Sequence, residues 1–278
     1  MLISRRGFIG TAAAAALAGK AVRFKIGVMD GVLRLGGKPE ALALAAKLGF
    51  EGLEVTIGRS VAGGELPLAN SELQAQYLAE ARKHKLRLAG AYLDILHVNC
   101  LKNDKLAPKW VSEGIRITRR LNARVLLVVF FGKCSLSNPQ EVDAVAGAFK
   151  ELAREAEKAG VALGFENTLS AEDSARVLDR VGSRALKVYY DVGNSTNMGG
   201  FDAVKEIRWL GRDRICQIHL KDKGYLGEGK VDFPAVLRAL ADIGFTGFAN
   251  LETSSPSGSV ENDLRRNLGY VRRVCEMM

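Results

Sequence analysis

Cysteine and histidine are both scarce in this chain, with four and three copies among 278 residues. Cys100, Cys134, Cys216 and Cys275 form no CxxC pair and no zinc-knuckle spacing, which excludes a cysteine-built zinc module. Aromatic residues amount to 7% and do not interleave with the basic ones, so a stacking platform for single-stranded nucleic acid is excluded too. The first apolar run leads into Asp30-Gly31-Val32-Leu33 and not into a GxGxxG turn, against a dinucleotide-binding fold. No Pro/Gly/Ser-rich linker and no low-complexity tract interrupts residues 19–278, which therefore read as one domain. The apolar stretch from Ile9 to Ala18 is too short for a bilayer span, which takes about 20 residues.

That stretch has another reading. Ser4-Arg5-Arg6-Gly7-Phe8-Ile9 resembles the twin-arginine export signal, and Ala16-Leu17-Ala18 offers a small-x-small cleavage site. The expectation is a leader over residues 1–18, a mature chain from about Gly19, and a periplasmic or secreted location without stable membrane association after cleavage. Cargo of that route folds before export, so the four cysteines are expected as free, buried thiols. The formal charge of +9 is spread over scattered Lys and Arg, with short pairs such as Arg119-Arg120 and Arg272-Arg273 on expected helices. This is a solvated basic surface, and no nucleic-acid partner is expected.

After the leader, short apolar runs alternate with longer stretches of helical periodicity. Strands are expected at Phe24–Met29, Leu53–Val55, Leu86–Tyr92 and Arg124–Phe131, the last a continuous apolar run that suits a strand buried on both faces. Helices are expected from Pro39 to Leu48, from Ser71 (as N-cap) to Lys85, from Pro108 to Leu121 and from Pro139 to Ala159. Four more strands follow within VALGFEN (161–167), LKVYYDVGN (186–194), RICQIHLKD (214–222) and GFANLET (247–253), each succeeded by a helix. Eight strand–helix units in a chain of this length predict a closed (β/α)8 TIM barrel.

Glu166, Asp191, His219 and Glu252 stand near the carboxyl ends of those last four strands. In such a barrel these ends converge on one face. By strand alternation Gln217, His219 and Lys221 share one side, opposite Cys216, Ile218 and Leu220, while Phe248, Asn250 and Glu252 share another, as do Tyr189 and Asp191. Polar side chains on the inner face of a buried strand need partners or a metal. Three carboxylates and one imidazole at one point suit a single divalent ion: Mn2+, Mg2+, Co2+ or Zn2+.

Glu166-Asn167, Asp191-Val192-Gly193-Asn194, His219-Leu220-Lys221-Asp222, the run Gly227 to Phe233 and Leu251-Glu252, in this order, resemble the xylose isomerase-like barrel superfamily of sugar (phosphate) isomerases and epimerases. The resemblance spans essentially all of the mature chain. It implies that Glu166, Asp191, His219 and Glu252 bind one divalent cation, and that Glu54 is a structural or substrate-facing residue. It further implies a metal-stabilised enediolate, with Glu166 and Glu252 exchanging protons at neighbouring carbons. Lys221 and Asn194 are then expected to meet substrate, a small sugar or keto sugar. His84 and His97 are expected on a helix surface and in a loop, without a role. The chain departs from the ketose 3-epimerase branch at Asn194, where that branch has His, and in its Lys221-Asp222 pair. Its few histidines also set it apart from the three-zinc endonucleases of the same barrel. Two alternatives stand beside the isomerase: a lyase or dehydratase of 3-keto sugars, and a non-catalytic sugar-binding barrel. A homo-oligomer is compatible with the sequence.

Overall fold

The computed structural model describes residues 22–61 and 63–278, so the leader expected over residues 1–18 lies outside the described residues. Eight parallel strands close into a barrel in sequence order, β1 pairing with β8. They are β1 (Lys25–Met29), β2 (Gly52–Thr56), β3 (Arg87–Tyr92), β4 (Val125–Val129), β5 (Ala162–Glu166), β6 (Leu186–Asp191), β7 (Ile215–Leu220) and β8 (Phe248–Leu251). Around them run α1 (Ala41–Leu48), α2 (Ser71–Lys83), α3 (Ala107–Arg120), α4 (Pro139–Ala159) and α5 (Ala171–Val181). A one-turn α6 (Val192–Asn194) precedes α7 (Ala203–Arg214), α8 (Phe233–Asp242) and α9 (Val260–Glu276).

Local chemistry sets the element ends. Helix α4 opens with the Asn138 side chain accepting from the Glu141 amide and with Pro139 in its first turn, and it closes on Gly160 at φ 66°. The cap of α2 is Asn70 and not Ser71: its side-chain oxygen accepts from the Leu73 amide at 3.0 Å. Every residue of β4 is buried, as its unbroken apolar run requires. The main core is the shell between strands and helices. There Phe130, Phe149 and Phe165 pack edge to face, with ring centroids 5.0 to 6.0 Å apart, each such pair adding about 0.5–1.5 kcal/mol beyond its buried area.

The cysteines depart from expectation. Cys100 and Cys134 form a disulfide, with Cα atoms 5.0 Å apart, while Cys216 and Cys275 are free and half-buried. Loops that follow neighbouring strands, here β3 and β4, lie side by side over the barrel mouth, and spacing along the chain does not reveal this. No helix among the described residues is long and apolar enough to cross a membrane.

Candidate metal centre

The barrel interior carries a polar layer built by side chains from opposite strands. The Asn250 amide donates to the Tyr189 hydroxyl at 2.8 Å and to Gln217 Oε1 at 2.9 Å. Tyr189 in turn donates to Glu54 Oε1 at 2.9 Å, and Gln217 Nε2 donates to the Ala89 carbonyl at 2.5 Å. All four side chains are buried, and each finds a partner across the barrel. The alternation read from β6, β7 and β8 therefore places these residues inward, as expected.

One layer above, toward the carboxyl ends, the four expected ligands meet. One donor atom from each of Glu166, Asp191, His219 and Glu252 lies within 4.8 Å of the others. His219 Nδ1 is 3.1 Å from Glu166 Oε1 and 3.2 Å from Glu252 Oε2. Its other nitrogen, Nε2, is 2.8 Å from Glu54 Oε2. Carboxylates accept at both ring nitrogens; a metal ion on Nδ1 would take the place of the Nδ1 proton, while Nε2 would keep its proton on Glu54. Glu54 is 0% exposed beneath the imidazole. Its Oε2 supports the His219 ring from below, the geometry of a structural role.

Asp191 does two jobs. Its Oδ1 accepts from the Asn194 amide at 2.8 Å and so caps α6, while its buried Oδ2 has no hydrogen-bond partner. Lys221 Nζ lies 3.0 Å from Glu252 Oε2 and 3.5 Å from Asp191 Oδ2. Its ion pairs are therefore with the cluster and not with Asp222.

Burial and the crowding of carboxylates shape the electrostatics of the cluster. Burial pushes the Asp191 carboxyl up to about 8, and the neighbouring Glu252 charge adds to the shift. Burial likewise raises Glu166, against the pull of His219. Burial opposes ionisation of Glu252 as well, yet His219 and Lys221 hold its carboxyl well below the ordinary range. For His219, burial disfavours the imidazolium, but Glu54, Glu166 and Glu252 outweigh it and raise the pKa well above the usual value. With every group ionised, the carboxyls of Glu54, Glu166, Asp191 and Glu252 exceed the two cations His219 and Lys221 by two charges. Donors bound at roughly 2.0–2.6 Å around one ion span no more than about twice that distance. The donor set, its spread and an Asp191 Oδ2 that has no hydrogen bond, only the Lys221 ammonium at 3.5 Å, all fit one divalent cation.

The remaining motif residues are architectural. The Asp222 carboxylate accepts from the amides of Lys223, Lys230 and Val231 and from Asn197 Nδ2, and so it folds the loop from Gly227 to Phe233 around itself. A Cβ on Gly229 would stand 2.3 Å from that carboxylate. Asp232 caps α8 through the Ala235 amide. Gly193 lies against the end of β7, where a Cβ would approach the Lys221 carbonyl oxygen to 2.5 Å.

A cavity of about 260 Å³ sits over the cluster, lined by Glu166, Asn194, His219, Lys221 and Glu252, all expected, and also by Met29, Tyr92, His97, Phe131 and Met198. His97, passed over in the sequence, stacks on Phe131 and contacts the Tyr92 hydroxyl through Nε2. Burial lowers its pKa, with Asp94 opposing. The strand-end rule, extended to β3 and β4, would have found Tyr92 and Phe131. His97 carried no such signal. His84 pairs with Glu80 on the surface of α2, as expected.

Residues 42–274 match the family described as the xylose isomerase-like TIM barrel. The chain belongs to this family. A curated relative, an uncharacterised protein of Methanocaldococcus jannaschii, is 25% identical over 128 residues, 40% of this chain and 43% of that protein. The chain thus matches less than half the length of that relative. Solved xylose isomerase-like barrels superpose over nearly the whole chain. A D-psicose 3-epimerase from Clostridium cellulolyticum H10, crystallised with D-tagatose, has a TM-score of 0.75 at 17% identity, over 91% of this chain and 99% of that one. An L-ribulose 3-epimerase gives 0.75 at 18%, covering 91% and 95%. A 3-keto-D-glucoside 4-epimerase from E. coli gives 0.71 at 15%, covering 90% and 99%. At these identities the likeness is one of fold.

Proposed function

We propose that this protein is a divalent-metal-dependent isomerase or epimerase of an unphosphorylated sugar or keto sugar. The observation that carries this reading is the convergence of Glu166, Asp191, His219 and Glu252 within 4.8 Å at the carboxyl ends of their strands. The sugar epimerases among its structural neighbours support it. When bound, the ion would polarise a carbonyl and a neighbouring hydroxyl oxygen of the substrate. Glu166 and Glu252 approach His219 Nδ1 from β5 and from just beyond β8, at 3.1 and 3.2 Å. One takes the proton from the carbon beside the carbonyl, and the electron pair moves onto the carbonyl oxygen. For epimerisation the other returns a proton to the same carbon from the opposite face. For isomerisation it protonates the former carbonyl carbon, while the neighbouring hydroxyl passes its proton to the former carbonyl oxygen and becomes the new carbonyl. Lys221 would hold the developing oxyanion, and Asn194 would bond a hydroxyl.

Export through the leader is part of this proposal, because phosphorylated sugars are scarce outside the cytoplasm. The Cys100–Cys134 disulfide supports an oxidising destination. Changing Arg5 and Arg6 to Lys should hold a fusion in the cytoplasm, and undiminished export would remove the claim.

A second reading is favoured by Lys221, whose ammonium lies beside Glu252 where the 3-epimerase branch lacks the Lys-Asp pair. It is a lyase that, after the same proton abstraction, expels a group from the β-carbon of a 3-keto sugar. Incubating the metal-loaded protein with free ketoses and 3-keto-glucosides in deuterated water separates the two. Deuterium at the carbon beside the carbonyl without elimination is expected, whereas release of the aglycone establishes the lyase. Binding without exchange in the wild type would leave a sugar-binding barrel, and exchange undiminished in Glu252→Gln would show that the proton-transfer role given to Glu252 is wrong.

A further inference from the structure

A second cavity of about 430 Å³ adjoins the first, at the carboxyl ends of β1, β2 and β3. Met29 and Tyr92 line both and form their common wall. The space over the acid cluster, about 260 Å³, is small for a ligand cleft. The two together fall inside the usual range of roughly 300–1,000 Å³.

The chemistry of this second lobe is not that of an anion site. It offers one cation, Arg59, which among the described residues makes no ion pair, and one carboxylate, Asp94. The nearby Asp30 carboxyl is already engaged, accepting from the Thr56 amide at 2.9 Å, the Thr56 hydroxyl at 2.6 Å and the Gly37 amide at 3.0 Å. Tyr92 donates to Asp94 at 3.0 Å, which fixes both at the boundary between the lobes. A phosphate would gain Arg59 and be repelled by Asp94. A neutral ring with hydroxyls around its edge gains from both, and its C–H face suits Met29 and Tyr92. Glycines keep the lobe open: a Cβ on Gly31 meets nothing within 4 Å, and one on Gly36 would stand 3.7 Å from Thr56 Oγ1 in ordinary contact.

We infer that the substrate is a two-ring sugar, with its keto ring over the acid cluster and a second, neutral sugar ring in the lobe between Gly36, Thr56, Arg59 and Asp94. This rests on the reading of the cluster as a keto-sugar site. The test is calorimetric, on the Mn2+-loaded full chain, with three ligands: a monocyclic 3-keto-hexose, a disaccharide oxidised at C3 of one ring, and a 3-keto-hexose phosphate. The disaccharide should bind at least tenfold tighter than either of the others. Arg59→Ala and Gly36→Leu should each reduce that preference about tenfold. Equal binding of one and two rings with turnover intact overturns the second-ring site alone, as does a preference for the phosphate or a preference unmoved in both variants. If no keto sugar binds at all, the reading of the cluster falls and takes this inference with it.

Discussion

His219 joins the cluster through Nδ1 and its support through Nε2, so Glu54 decides which nitrogen is free. Replacing Glu54 with Gln puts a neutral amide against Nε2 and loosens both tautomer and ring. Metal affinity should fall about 10–100-fold, read by calorimetric titration, with the barrel still folded. Unchanged affinity would show that the ring is held by other contacts. Asp30, at the end of β1, lies outside the four-residue cluster. Burial raises its carboxyl from 3.8 to about 6, against the Thr56 and Gly37 hydrogen bonds. A carboxyl raised on folding stabilises the fold below its unfolded pKa, and that contribution is lost as pH rises through about 6. The difference is roughly 3 kcal/mol, at about 1.4 per pK unit. Asp30→Asn, which does not titrate, should therefore cost more at pH 4 than at pH 7 in urea unfolding. A penalty independent of pH would contradict this account.

At the scale of elements, the loops after β3 and β4 form one wall of the pocket. Cys100–Cys134 closes a 34-residue separation between them, and His97 stacks on Phe131 beside it. A crosslink over a loop of that length stabilises by about 3–4 kcal/mol through the unfolded chain. Cys100→Ser with Cys134→Ser should lower stability by that order in denaturant titrations. It should also raise KM more than it lowers kcat, because the wall loosens while the ligands on β5 to β8 stay. A fall in kcat alone would mean that the wall is held by packing. Much of this level is legible in the chain. The spans of α4, α5 and α9 follow from periodicity together with an Asn or Ser cap and a closing Gly at α4 and α5. The sequence alone sets the N-cap of α2 one residue late, because Asn70 and Ser71 are both good caps and only the Leu73 amide chooses between them.

For the molecule as a whole, the cluster is a surplus of buried acid inside a rigid barrel. Adding Mn2+, Co2+ or Zn2+ should raise the melting temperature by several degrees, since an ion at 100 times its Kd contributes about 2.7 kcal/mol. Chelator should reverse the shift, and Asp191→Asn should abolish it. A melting temperature indifferent to these three ions and to Mg2+ would end the metal reading.

The eight strand–helix units, the inward set on β6 to β8 and the four carboxyl-end residues are determined by the sequence itself, since strand period and strand ends are local properties. The tertiary structure alone decided that Glu54 lies under His219, 165 positions away. It also paired Cys100 with Cys134 and brought Tyr92, His97 and Phe131 over the cluster. Closing a barrel makes neighbours of side chains from strands on opposite sides, and no periodicity along the chain encodes who meets whom across that space.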